Sequence, residues 1–320
     1  MPLHVVTPTI ESIPLGKVTG KKVYLKLECV QPSGSFKIRG VGKLCEELFA
    51  GGKKIFICPS SGNAGYSMAW AARELGAQAI VVGPENTPLE AQNAIISLGA
   101  RMMIHGKVWD ESNLKALEMA EQNPEMTYLS SYDDPLIWEG HSTMIDEMYA
   151  QCEKPDVILL SIGGGGMMSG VLQGLDNVGW SDVPVIGCGT YGANAFAASM
   201  EAGRLVRIPK VDTLVGCISA AEITPRVMEL AKTHRLIPYL TSDLSCVEAS
   251  EHFLDDHRLL VDISCGLTLS ALYQNSPVLA EFERIMVIVC GGVGIRYGSL
   301  IELRKKAMER EKRDFNGFAR

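Results

Sequence analysis

The sequence has no apolar run approaching the roughly 18 residues of a membrane-spanning helix. It has no excess of basic charge either. Lys and Arg number 30 against 37 Asp and Glu, a formal net charge of −7, which excludes the clustered basic footprint of a nucleic-acid-binding protein. No CxxC pair and no close Cys/His cluster occurs, and the nine cysteines stand singly. In a chain of 320 residues that implies reduced, cytosolic thiols rather than a disulfide framework or a zinc site, so no metal is expected and the expected compartment is the cytoplasm. The opening MPLHVVTPTIESIPLG lacks a charged leader and an apolar core, so no secretory signal is expected. No low-complexity linker and no fixed internal repeat is present.

What the sequence does have is ordinary globular composition, 47% hydrophobic and 21% charged, with 32 glycines, several in tight runs. A chain of this length holds two domains or one large one. Strand patterns at 23–27, 55–58, 79–82, 102–105 and 126–129 alternate with helix patterns at 62–75, 88–98 and 111–122. That alternation predicts βαβ units, a parallel sheet and an α/β fold class. A second series follows: a helix at 136–152, a buried strand at 157–161, a helix from Met167, then segments at 184–188, 223–231, 246–256, 266–273 and 286–290. The tail from Ser299 reads as a charged amphipathic helix whose KKAMEREKR is the solvated face. With no linker between the series, one domain is expected to be inserted into the other. The crossings are expected near 31–35 and 133–135.

Three loops look chemical. In PSGSFKIRG, Lys37 stands where a loop turns into a helix. It reads either as a solvated lysine beside a turn or as a Schiff-base lysine, which needs a protected setting that lowers its pKa. In PSSGNAG, which follows a strand and opens a helix, backbone N–H groups and the hydroxyls of Ser60 and Ser61 suit an anion such as a carboxylate. The same serines could simply cap the helix. In SIGGGGMMSG, four glycines between a strand and a helix let the backbone wrap a phosphate at the helix start. No GK[ST] follows, which excludes a Walker A loop, and the spacing is not that of a dinucleotide fingerprint. A fourth element, VIVCGG, ends a buried strand at Cys290, which alone reads as a small core residue.

SGSFKIRG, SSGNAG and SIGGGG, in this order and spacing, resemble the fold-type II pyridoxal-phosphate enzymes. QPSGSFKIRG, DDPLIWEGH, VGWSDVPVI and VIVCGG are similar to their animal-type L-serine dehydratase/L-threonine deaminase branch, and the likeness runs over nearly the whole chain. The resemblance implies two open, twisted, mostly parallel sheets flanked by helices, like the tryptophan synthase β-subunit. It implies a large cofactor-binding domain of residues 1–32 and 135–320, a small domain of 33–134 that moves on substrate binding, and a homodimer. It implies pyridoxal 5'-phosphate held as an aldimine on Lys37, which then serves as base at Cα. Phe36 would pack on the ring, Asn63 would bond its O3′, and Gly163, Gly164, Gly165, Gly166 and Met167 would cradle the phosphate. Cys290 would face the ring nitrogen as a neutral thiol. Ser60, Ser61, Gly62 and Asn63 would bind the substrate carboxylate. The reaction implied is α,β-elimination of water from L-serine or L-threonine, giving pyruvate or 2-oxobutanoate and ammonia.

Three positions depart from that pattern. Ser61 replaces a residue without a hydroxyl and matches the second base of serine racemase, so it reads either as a catalytic base or as a carboxylate ligand or cap. Gly189 stands where the family has a glutamate for its cation, which leaves a monovalent cation open. Segment 213–223 and Asp262 differ near the substrate, which leaves the β-hydroxy amino acid open. A racemase, a β-replacement synthase and a non-catalytic binder on this fold are the competing readings. PSSGNAG differs from the synthases' TSGNTG, and Lys37 argues against a binder. No C-terminal regulatory domain is expected. His141 reads as a satisfied helix residue, Glu11, Glu28 and Arg39 as surface charges, and Cys217, Cys246 and Cys265 have no assigned role.

Overall fold

A computed structural model describes residues 1–60 and 62–317, with side chains through 313. The chain runs β1 (Thr9–Glu11), α1 (Ile13–Thr19), β2 (Lys22–Leu27) and α2 (Lys37–Ala50). It continues through β3 (Ile55–Pro59), α3 (Asn63–Leu75), β4 (Gln78–Gly83), α4 (Leu89–Ser97), β5 (Arg101–Ile104), α5 (Trp109–Gln122) and β6 (Met126–Tyr128). Then come α6 (Pro135–Gln151), β7 (Val157–Ser161), α7 (Gly166–Asn177), β8 (Val185–Thr190), α8 (Ala195–Ala202), α9 (Pro225–Leu230) and β9 (Leu236–Thr241). The described chain closes with α10 (Asp243–His257), α11 (Ile263–Tyr273), β10 (Arg284–Val289) and α12 (Tyr297–Gly317).

Two sheets result. One has the order β1-β2-β10-β7-β8-β9 and is parallel except for β1, which pairs antiparallel with β2. The other, β5-β4-β3-β6, is wholly parallel. Its strands come from residues 55–128, between β2 and β7 of the first sheet, so the expected α/β class with two mainly parallel sheets holds. The centre of the larger sheet is apolar on both faces: every residue of β7 is buried, and Val287 of β10 lies opposite Leu25 and Leu159. Helices begin where sequence chemistry allows. Asp134 caps α6 through a 2.8 Å bond from Leu136 N, with Pro135 at the first position. Asp262 caps α11 in the same way at 2.8 Å.

Two edge strands escape the sequence pattern. β9 contains Pro238, which argues against a strand, but at the sheet edge its missing N–H need not serve a second neighbour. β1 is three residues long and mostly exposed, too short for a period-two pattern. The tail forms the expected charged amphipathic helix, with Lys305, Lys306, Glu309, Glu311, Lys312 and Arg313 on its exposed face. α12 buries Leu300 and Ala307, and Arg310 bonds Asp212 and Asp243, each at 3.1 Å.

Arg39 and Glu28 are not surface charges. Both are fully buried, and only Glu11 of the three is exposed. Arg39 binds Glu28 Oε2 through Nε at 2.7 Å and Glu147 through both terminal nitrogens, each at 2.7 Å. Lys26, also fully buried, binds Glu147 at 2.6 Å and the Thr7 carbonyl at 2.8 Å. Two cations and two carboxylates therefore neutralise one another. Burial pushes the Glu147 carboxyl up, but bonds from Arg39 and Lys26 outweigh it and hold the group below its ordinary value. This cluster ties α2, two residues past Lys37, to β2, α6 and the N-terminal segment.

Candidate active site

A cavity of about 120 Å³ opens between the sheets, where the C-terminal ends of parallel strands converge. Ser60 follows β3, Ser161 ends β7 and Cys290 follows β10, and all three line it. So do Phe36, Lys37, Gly62, Asn63, Gly163, Gly164, Gly165, Gly166 and Met167. Apart from Ser61, which lies outside the described residues, every site residue expected from sequence meets here.

Lys37 is the first residue of α2. The loop before it is pinned by VIVCGG, some 250 residues away in sequence: Phe36 N donates to the Cys290 carbonyl at 3.0 Å and Gly292 N to that of Gly34 at 2.9 Å. Gly291 is required there, since it has φ +85° and a Cβ would stand 2.2 Å from the Gly34 oxygen. Lys37 Nζ donates to the Ser131 carbonyl at 2.6 Å. Its remaining open surface faces the cavity, and enclosure by protein lowers its pKa from 10.5 to about 8. Among the described lining residues it is the single cationic side chain.

Asn63 opens α3, and its Oδ1 accepts from Val293 N at 3.0 Å. The amide is thereby turned so that Nδ2 reaches toward the cavity and Cys217 Sγ, 3.4 Å away. Ser60 is buried, and its hydroxyl accepts from Gly62 N at 3.1 Å. The glycine turn ends at α7, with Gly165 at φ +93°. These glycines answer to the protein as well as to a ligand. A Cβ on Gly164 would lie 2.5 Å from the Tyr132 ring, and one on Gly166 2.4 Å from the Tyr132 carbonyl. Close packing of Tyr132, between the two sheets in sequence, therefore accounts for part of the run that ligand approach alone was expected to explain.

Cys290 is buried beside Cys265 Sγ at 3.4 Å and Ser264 Oγ at 3.5 Å. Hydrogen bonding with these neighbours holds its thiol below 9.0. His141 is not a satisfied helix residue. It is fully buried on α6, neither ring nitrogen has a partner among the described residues, and its ring packs 4.9 Å from that of Phe36. Burial first, then Lys37 and Arg39, hold it neutral, well below 6.5. Gly189 lies inside β8 rather than in a loop, paired with Leu240. Among the described residues no group of three or more His, Cys, Asp or Glu is placed to hold a metal ion, and no helix is long and apolar enough to cross a membrane.

Sequence reasoning missed Ser131, Tyr132, Cys217, Ser264 and Cys265. The first two sit beside Asp133, where the sequence suggests a crossing, and Cys217 sits in the divergent 213–223 segment, where a 3₁₀ turn, Gly216–Ile218, forms one wall. Those were the available signals. Nothing in the sequence pairs Cys265 with Cys290.

The model of the pyridoxal-phosphate dependent enzyme family matches residues 1–291. The chain belongs to that family. Among family relatives, L-serine dehydratase of Dictyostelium discoideum is 43% identical over 312 residues, covering 92% of this chain and 89% of that one. The human L-serine dehydratase/L-threonine deaminase is 40% identical over 314 residues, 95% of this chain and 96% of that one. The crystal structure of a fungal L-serine ammonia-lyase from Rhizomucor miehei superposes with a TM-score of 0.91 at 34% identity, over 96% of this chain and 100% of that one. The family's cofactor thus accounts for a cavity that joins an acidified lysine, a glycine turn at a helix start and a side-chain amide.

Proposed function

We propose that this protein is an L-serine ammonia-lyase that also accepts L-threonine. The observation that carries the reading is Lys37, a lysine with a pKa near 8, placed in one cavity with the Asn63 helix start and the glycine turn. The residues suit pyridoxal phosphate. The α7 N-terminus and the four glycines offer N–H groups to a phosphate, Asn63 Nδ2 offers a donor to a phenolic oxygen, and Phe36 offers a ring face. The bound cofactor supplies an electron sink for charge developing at the substrate Cα.

The protein's own part is positioning and proton transfer. Ser60, Ser61, Gly62 and Asn63 hold the substrate carboxylate at the start of α3. Lys37 Nζ would hold the cofactor and, once the substrate amine has replaced it there, would take the Cα proton. The Cβ hydroxyl would leave with one proton, equal to the one Lys37 has taken, so that water is lost, and hydrolysis of the released 2-aminoacrylate would give pyruvate and ammonia. We further infer that residues 33–134 shift as a unit against 1–32 and 135–320 when substrate binds. We also infer a homodimer in the cytoplasm, from the family resemblance and the reduced thiols.

Cofactor uptake needs the neutral amine of Lys37. Uptake by cofactor-free protein, followed by absorbance, should rise with pH to half its maximum near 8, because the amine loses its proton there rather than at 10.5. A midpoint near 10.5 would contradict the enclosed setting of Lys37. Ser61 is assigned to the carboxylate rather than to proton transfer. Ser61→Ala should raise KM for L-serine about tenfold, the worth of one charged hydrogen bond, with kcat and any D-serine output unchanged. Loss of D-serine output in that variant would instead favour a racemase.

A further inference from the structure

Two thiols meet at the wall of the cavity. Cys290 follows β10, Cys265 sits in the first turn of α11, and their Sγ atoms lie 3.4 Å apart, both thiols free. Gly291 N donates to Cys265 Sγ at 3.2 Å, which occupies that sulfur as an acceptor and leaves its S–H to donate. Two acceptors are in reach, Cys290 Sγ at 3.4 Å and the Gly291 carbonyl at 3.8 Å, and the nearer is Cys290. Ser264 Oγ approaches Cys290 Sγ to 3.5 Å. Its turn is held by a 2.5 Å bond from Ser161 Oγ to the Ser264 carbonyl. With Cys265 donating to its sulfur, Cys290 has its own S–H left for the cavity it lines. Its other acceptor, the Gly291 carbonyl, is 3.8 Å away.

We propose that Cys265 is a positioning residue: by donating to Cys290 Sγ it turns the Cys290 S–H toward an aromatic ring nitrogen bound in the cavity. This rests on the reading of the cavity as a cofactor site with Cys290 at the ring nitrogen. The same contacts hold the Cys290 thiol down, while burial pushes Cys265 up. The other titratable groups around the pair are Asp262 at the start of α11, Cys29 after β2, Cys217 on the 3₁₀ turn and Lys37 on α2. Asp262 opposes ionisation of Cys290, so the pair contacts, not the surrounding charge, lower it.

The test uses cofactor-free and loaded full-length protein. Cys290 alkylation by iodoacetamide is quantified by peptide mass spectrometry across the thiol titration range, in wild type, Cys265→Val and Cys265→Ser. Cys265→Val keeps the volume and removes the donor, while Cys265→Ser keeps a donor. In Cys265→Val, alkylation of Cys290 at neutral pH should slow about fivefold, the worth of one hydrogen bond, with its midpoint moved up. Cys265→Ser should restore most of the rate. In loaded protein, the pH midpoint of the cofactor absorption band should move in Cys265→Val and return in Cys265→Ser. An unchanged Cys290 profile in a folded Cys265→Val protein would overturn the proposal. Should Cys265→Val fail to fold, a folded Cys265→Ser protein whose Cys290 alkylation is slowed about fivefold against wild type would overturn it as well. Absence of serine turnover in wild type, with this alkylation pattern intact, would count against the lyase reading and not against the thiol pair.

Discussion

Lys37→Ala should abolish pyruvate formation from L-serine, lowering kcat by about 10⁴-fold or more, because one substitution removes both the cofactor's anchor and the base at Cα. The variant should still fold. Among the described residues Lys37 makes a single side-chain hydrogen bond, to the Ser131 carbonyl, and that carbonyl can bond water in the cavity instead. The measurement is a time course of the purified protein with cofactor and L-serine, reading pyruvate and D-serine together, with Lys37→Ala alongside. Pyruvate that disappears in the variant supports the lyase. A variant with undiminished pyruvate would remove Lys37 from the chemistry. Cofactor absorbance typical of an imine, without turnover of either product, would leave the cofactor site standing and exclude L-serine as substrate.

Arg39→Met should be the most destabilising substitution considered. The guanidinium is fully buried and is the counter-ion of both Glu28 and Glu147. Removing it leaves two buried carboxylates facing Lys26 alone, a loss of about 3–5 kcal/mol. That is a large part of the roughly 5–15 kcal/mol that holds a folded domain, and the melting temperature should fall by on the order of 10 °C. The companion variant Arg39→Met with Glu28→Gln restores charge balance, one cation against one carboxylate, and should regain part of the loss. Thermal unfolding of both variants decides it. A melting point within about 2 °C of wild type for Arg39→Met would mean that the cluster is relaxed by water. Because Arg39 lies two residues past Lys37 on α2, the single variant should also load cofactor more slowly.

The elements read correctly from sequence are those with dense local signals. The all-apolar run of β7, the glycine turn before α7 and the helix expected over 136–152 each carry their structure within a few residues. β9 was hidden because Pro238 contradicts a strand everywhere except at an edge, and edge position is a property of the sheet. Arg39 and Glu28 were misread for a related reason. A charged residue is buried only when partners neutralise it, and those partners, Glu147 and Lys26, lie in other elements. His141 was expected to be satisfied because buried polar groups usually are, yet the walls from Phe36, Gly40 and Gly170 leave its nitrogens nothing to bond.

Most of the candidate site was therefore legible as residue types: the lysine before a helix, the serine-glycine-asparagine start of α3, the four glycines and the cysteine after a buried strand. By itself the sequence determined the α/β class, the alternation that builds parallel sheets and the motifs that carry the resemblance, because periodicity and turn chemistry act over a few residues. Only the tertiary structure decided that Lys37 is enclosed and acidified, that Tyr132 rather than a ligand alone demands two of the glycines, and that Cys265 stands against Cys290. Burial, close approach and hydrogen-bond direction depend on where the strand ends meet, and no segment of the chain holds that information alone.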